Sequence, residues 1–99
     1  MKEEFKNSYQ KFINHYGQDA QIMIIIEEMS ELTKELCKFL RYKNTNKEKL
    51  EEIINNIHEE TADVLNCVEQ LELMFNADEI EKFRQLKLQR TLSRLNESE

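Results

Sequence analysis

The chain contains no proline and one glycine, Gly17, in 99 residues. Reverse turns draw on both residue types, and a sheet needs such a turn every few residues. A chain with so few reversals is confined to a small number of long helices joined by short connections. Its abundance of Glu, Lys, Leu, Ile and Gln agrees, since these are mostly good helix formers. The β-branched run from Ile22 to Ile26 resembles a strand when read alone. The helical spacing continues through it, however: Ile22, Ile25, Met29, Leu32 and Leu36 recur three and four residues apart. The expected fold is all-α, an antiparallel helical bundle of about four helices in a single domain over residues 1–99. A chain this short buries a modest fraction of its surface, so the bundle is expected to be completed by oligomerisation.

Local signals divide the chain. The first helix is expected from about Lys2 to Tyr16, with Phe5, Tyr9, Phe12 and Tyr16 on one face and Gly17 as a left-handed stop. The second starts near Asp19, a plausible N-cap, and runs to about Tyr42. Thr45 followed by Glu48 fits a capping box before a third helix from about Asn46 to Phe75. Asn76 with Glu79, or Asp78 as a rival cap, opens a fourth that ends near Leu95.

The net charge of −6 and pI of about 5.0 disfavour a nucleic-acid binder, which carries a basic face. Cys37 and Cys67 read as buried or half-buried thiols of a reducing compartment, because zinc would require further Cys or His ligands at short spacing. The apolar run Ile22–Ile26 is far too short for a membrane span. MKEEFKNSYQ lacks the apolar stretch of a signal peptide, so a cytoplasmic location without membrane contact is expected.

The acids of IIIEEMSELTKEL, residues 24–36, stand beside the most apolar part of the chain. On a wheel of about 100° per residue with Glu28 at zero, the stripe of Ile22, Ile25, Met29, Leu32 and Leu36 lies at roughly +40° to +120°. Glu35, Glu31 and Glu27 fall near roughly −20°, −60° and −100°. The third helix repeats the pattern. With Glu60 at zero, Val64, Ile57, Phe75 and Val68 lie at roughly +40° to +80° and Asp63 near −60°. Each helix therefore places two acids one turn apart beside its core stripe, ExxE in one and ExxD in the other. A short connection makes the helices antiparallel neighbours, so the two acid pairs can meet across one groove. Carboxylates brought together out of water repel and lose hydration. They need cations, and oxygen-only ligands suit Mg²⁺, with Mn²⁺ as the alternative. A single ExxE on an acidic helix is ordinarily just solvated surface; the matched pair of patterns favours a metal site.

Together IIEEMSEL and HEETADVL resemble the EExxE…ExxD signature of the MazG-like, all-α nucleoside triphosphate pyrophosphohydrolases. Glu27, Glu28 and Glu31 match the first half, and Glu60 and Asp63 the second. The likeness covers about Gln21 to Leu71 and extends loosely to a KLQR segment, with a gap between the halves at the long end for the family. It implies one MazG-like domain, at least dimeric and conceivably tetrameric. It also implies Mg²⁺-dependent hydrolysis of an NTP or dNTP to the monophosphate and pyrophosphate, a nucleotide-pool house-cleaning activity. Glu28, Glu31, Glu60 and Asp63 would be metal ligands. Glu27 would be a further ligand or the base that orients water.

Phosphates beyond the metals call for cations. Lys87, Arg90 and Arg94 share a face of the fourth helix and are the first candidates; Lys34, Lys38 and Arg41 on the second are the alternative. Either set also reads as an ordinary basic face. Phe12, Tyr16 or Phe39 offers a wall for a base, and Gln21 a reader of its edge. Two other functions compete. A ferritin-like di-iron bundle requires ExxH, but Asn55 and Phe12 stand three residues before His58 and His15. A non-catalytic helical dimerisation or interaction protein would use the acids only to solvate a seam, and it predicts no dependence on Mg²⁺.

Overall fold

In a computed structural model, residues 1–98 are described and form four helices: α1 (Glu3–Tyr16), α2 (Gln18–Tyr42), α3 (Lys47–Met74) and α4 (Ala77–Ser98). No strand occurs among the described residues, and Ile22–Ile26 is helical. No described helix is long and apolar enough to cross a membrane.

Gly17 makes the first corner. Its N–H donates to the Ile13 carbonyl at 2.9 Å while its φ of 92° and ψ of 154° turn the chain straight into α2. That backbone region is essentially reserved for glycine. The corner is tighter than expected: Asp19 lies inside the first turn of α2 and is not its cap. At the second corner Asn46, not Thr45, caps α3, its side chain accepting from the Lys49 N–H at 3.1 Å. Lys49 Nζ lies 4.3 Å from the centre of the Tyr42 ring and ties the two helix ends together. Asn76 caps α4 through the Glu79 N–H at 3.1 Å, and Asp78 falls in the first turn.

An α2–α3 hairpin is the body of the fold, and α1 packs against both of its helices. The Tyr9 hydroxyl of α1 reaches α3, donating between Asn66 Oδ1 at 3.0 Å and Glu69 Oε1 at 3.2 Å. Glu69 is thus a half-buried acceptor. Burial, then the Glu69 carboxylate, pushes the Tyr9 phenol up to about 12. The helix α4 touches α3 alone and stands away from the rest.

The seam between α2 and α3 is rotated from its expected position. Ile25, Ile53 and Cys67 are buried in it, but so are Gln21, Glu35 and Gln70. Met29 and Leu36, expected in the core stripe of α2, are exposed, as are Val68 of α3 and Phe75 at its C-terminal cap. Cys37 is also exposed, contrary to expectation. Measured from Ile25, the exposed Ile26, Met29, Leu36 and Leu40 lie at roughly +20° to +100° on the wheel. Measured from Ile53, the exposed Ile54, Leu65, Val68 and Phe75 lie at roughly +40° to +120°. In an antiparallel pair the same rotational sense on each helix points to the same side of the layer. One side of the hairpin is therefore a bare apolar face, and the acids lie toward the other.

The Cα radius of gyration is 17.1 Å, against about 13 Å for a compact domain of this length. A flattened shape, 46 × 39 × 22 Å, with a small core is the physical counterpart of that bare face.

Candidate metal centre

The second and third helices bring Glu28, Glu60 and Asp63 together. Each offers one carboxylate oxygen, and these three atoms all lie within 4.8 Å of one another. Glu28 and Glu60 are half-buried and Asp63 is exposed. Glu60 and Asp63 occupy successive turns of α3, and Glu28 approaches them from α2. Helical rigidity fixes this convergence, with no loop involved.

The electrostatics follow from the crowding. Burial, then the negative charges of Asp63 and Glu60, push the Glu28 carboxyl above the usual carboxylate range. The buried Cys67 thiol is pushed up by burial and then by Glu28 and Asp63. One oxygen of Glu60, Oε2, is buried with no hydrogen-bond donor among the described residues. An ionised carboxylate accepts only, so this oxygen lacks a positive or donating partner. Three carboxylates with an orphaned oxygen fit a hard divalent cation, which takes oxygen ligands.

The other motif acids stand outside the triplet. Glu31 and Glu27 are exposed, roughly 60° and 100° further round α2 than Glu28. Glu31 is the nearer of the two by angle.

The expected substrate-binding residues scatter. Gln21 is buried, and its Nε2 donates to Gln70 Oε1 at 2.9 Å. Its Nε2 is engaged between the helices and its Oε1 is buried without a partner among the described residues, so the side chain is not the exposed one expected of a reader of a base edge. Lys87, Arg90 and Arg94 are exposed on α4. Because α4 packs on α3 and touches neither α1 nor α2, contacts within one chain do not seat this face on the α2 side of the triplet. Lys38 stays close to the seam, donating from Nζ to Glu35 Oε1 at 3.4 Å. Phe12 and Tyr16 are exposed and Phe39 half-buried.

Glu35 was not among the residues singled out by pattern. It is buried, at 7% exposure, and its Oε2 has no partner among the described residues. The available signal was its wheel position beside Glu28. Two surface hollows, one at the α2–α3 turn around Asn44–Lys47 and one on α4 beside Arg84 and Lys87, do not include the triplet. Comparison with protein-family models, curated proteins and solved structures finds no match to this chain.

Proposed function

We propose that the protein is a Mg²⁺-dependent nucleoside triphosphate pyrophosphohydrolase of the MazG-like kind. The observation that carries this reading is the convergence of Glu28, Glu60 and Asp63 within 4.8 Å on the residues that match the EExxE…ExxD signature. Structural proteins place acids on wet faces, where each can be hydrated. Here three are crowded at a helix seam, and one oxygen is stranded.

Bound Mg²⁺ supplies the positive charge that both a triphosphate and this acid cluster require, and it acidifies water for attack. Glu28, Glu60 and Asp63 are the residues that would hold the ion beside the hairpin. Water attacks the α-phosphorus, the bond from that phosphorus to the bridging α–β oxygen breaks, and pyrophosphate leaves. The proton lost by water passes to one of the two remaining signature carboxylates, Glu31 being the nearer by angle and Glu27 the alternative. Mn²⁺ has the same ligand preference and substitutes in this scheme.

The active form in this reading is a homodimer or a tetramer built from it. Two copies joined through the bare faces of α2 and α3 stack one two-helix layer on another, giving a four-helix core. The contact is isologous, each copy contributing the same patch. It leaves both carboxylate clusters on the outer sides.

The test is turnover of an NTP and dNTP panel with Mg²⁺ and with chelator, for wild type and Glu60→Gln. The reading requires hydrolysis that disappears on chelation and falls by at least about a hundredfold in the variant, a loss of the size of one removed electrostatic contact in a transition state. Hydrolysis unaffected by chelator would contradict the metal-dependent mechanism, and none on any triphosphate would leave the non-catalytic interaction protein as the better reading.

A further inference from the structure

The hairpin keeps a strict register. Gln21 bonds Gln70, Glu28 meets Asp63, and Lys49 covers Tyr42. The first two pairs are one heptad apart on each helix, and the next heptad step places Glu35 opposite Asn56. The seam thus carries three polar layers at intervals of about 10.5 Å. The Gln21–Gln70 layer is joined by one amide–amide hydrogen bond, with Gln21 Oε1 left buried and without a partner among the described residues. The Glu28–Asp63 layer is the proposed metal centre. The Glu35 layer is neither closed nor assigned.

Glu35 is more than nine-tenths buried, yet Oε2 has no donor among the described residues and Oε1 has one long contact to Lys38. Leaving a buried acceptor unsatisfied is costly. Lys38 is the movable side of this pair, its side chain 36% exposed. A carboxylate cannot take a phosphate, which is anionic and offers only acceptors. It takes O–H and N–H groups. On a nucleoside triphosphate those groups belong to the nucleoside half: the sugar hydroxyls and the base N–H groups.

We propose that Glu35 is a specificity-determining residue, accepting a hydrogen bond from the nucleoside when the triphosphate lies along the seam with its phosphates at Glu28, Glu60 and Asp63. Lys38, one turn beyond Glu35 on the side away from Glu28, swings out to solvent and leaves the Glu35 carboxylate to the nucleoside. This rests on the triphosphate reading above and deepens it. It names a second station on the same seam, and it explains why an acid outside the signature is buried there.

The experiment measures kcat and KM for wild type, Glu35→Gln and Glu35→Asp, the last retaining the charge but withdrawing the oxygen. Substrates are ribo-, 2′-deoxy- and 2′,3′-dideoxynucleoside triphosphates of one base, and a set of bases on one sugar, with Mg²⁺. Thermal melts identify any variant that fails to fold. The expected result is a KM effect that depends on the nucleoside. The ratio between best and worst substrates narrows about tenfold or more, as loss of one charged hydrogen bond allows. Narrowing across the sugar series assigns the donor to a hydroxyl; narrowing across the base series assigns it to an N–H. If both folded variants slow every triphosphate by the same factor, Glu35 is a structural acid and the proposal is overturned while the hydrolase reading stands. If wild type cleaves no triphosphate, the two fall together.

Discussion

Glu28 of α2 and Asp63 of α3 face each other across the hairpin seam, and their proximity helps to hold the Glu28 carboxyl above its ordinary range. The fold therefore contains a repulsion that it would lose on unfolding. A cation that binds only the folded state should relieve it. At a hundredfold excess over its dissociation constant such a ligand stabilises by about 2.7 kcal/mol. Glu60→Gln keeps the shape and removes one charge. We expect it to melt above wild type without metal, to gain little from Mg²⁺, and to lose hydrolysis. Glu51, exposed on the first turns of α3, supplies the control. If Glu60→Gln and Glu51→Gln have the same metal-free and Mg²⁺ melts, the three carboxylates do not act as a cluster.

The raised Glu28 carboxyl sets a pH dependence. Its proton is held more tightly in the folded state, so its contribution to stability is full below the unfolded value of about 4.3 and is lost as pH rises through the raised folded value. Metal-free wild type should lose more stability than Glu28→Gln as pH rises above the unfolded value. Mg²⁺ competes with that proton, so its affinity should rise over the same interval. Parallel stability curves for the two proteins, measured by denaturant titration at each pH, would show that Glu28 is not under this pressure.

The anchoring of α1 depends on one hydroxyl. Tyr9→Phe removes the hydrogen bonds to Asn66 and Glu69 and leaves acceptors that are exposed or half-buried, where water can reach them. The expected loss is about 1 kcal/mol, or roughly 4–8 °C in Tm for a domain of this size. Gly17→Ala meets no neighbouring atom but forces a side chain into a glycine-only conformation, at a cost of about 1–3 kcal/mol. A melt in which Gly17→Ala is as stable as wild type would contradict the corner described here.

How much of this could be read from the sequence follows from which forces act locally. The helices were legible because periodicity and the scarcity of turn residues act within a few positions. Glu28, Glu60 and Asp63 were legible as neighbours because ExxE and ExxD sit at matching places on two antiparallel helices. Rotation of the seam was not legible. The wheel assigned Met29, Leu36, Val68 and Phe75 to the core because they are apolar, whereas the chain buries Gln21, Glu35 and Gln70 and leaves those four exposed. That choice depends on what covers the apolar side, and a wheel drawn for one helix has no access to it. The cap at Asn46 displaced Thr45 for a smaller reason: a shift of one residue lets its side chain reach the Lys49 N–H.

The bare apolar face yields its own prediction. Leu36→Lys or Leu65→Lys places a charge in the proposed interface while leaving the carboxylate cluster untouched. Light scattering should show wild type as a dimer or tetramer at micromolar concentration and the variants as smaller, less stable species. A wild-type monomer that is fully folded would remove the proposed interface.

The most direct measurement of the central claim is product analysis in H₂¹⁸O. A triphosphate that the protein turns over is incubated with Mg²⁺, and the products are resolved by mass. Attack at the α-phosphorus predicts a nucleoside monophosphate carrying the ¹⁸O label and unlabelled pyrophosphate. Nucleoside diphosphate with labelled orthophosphate, or label recovered in pyrophosphate, would contradict the assignment.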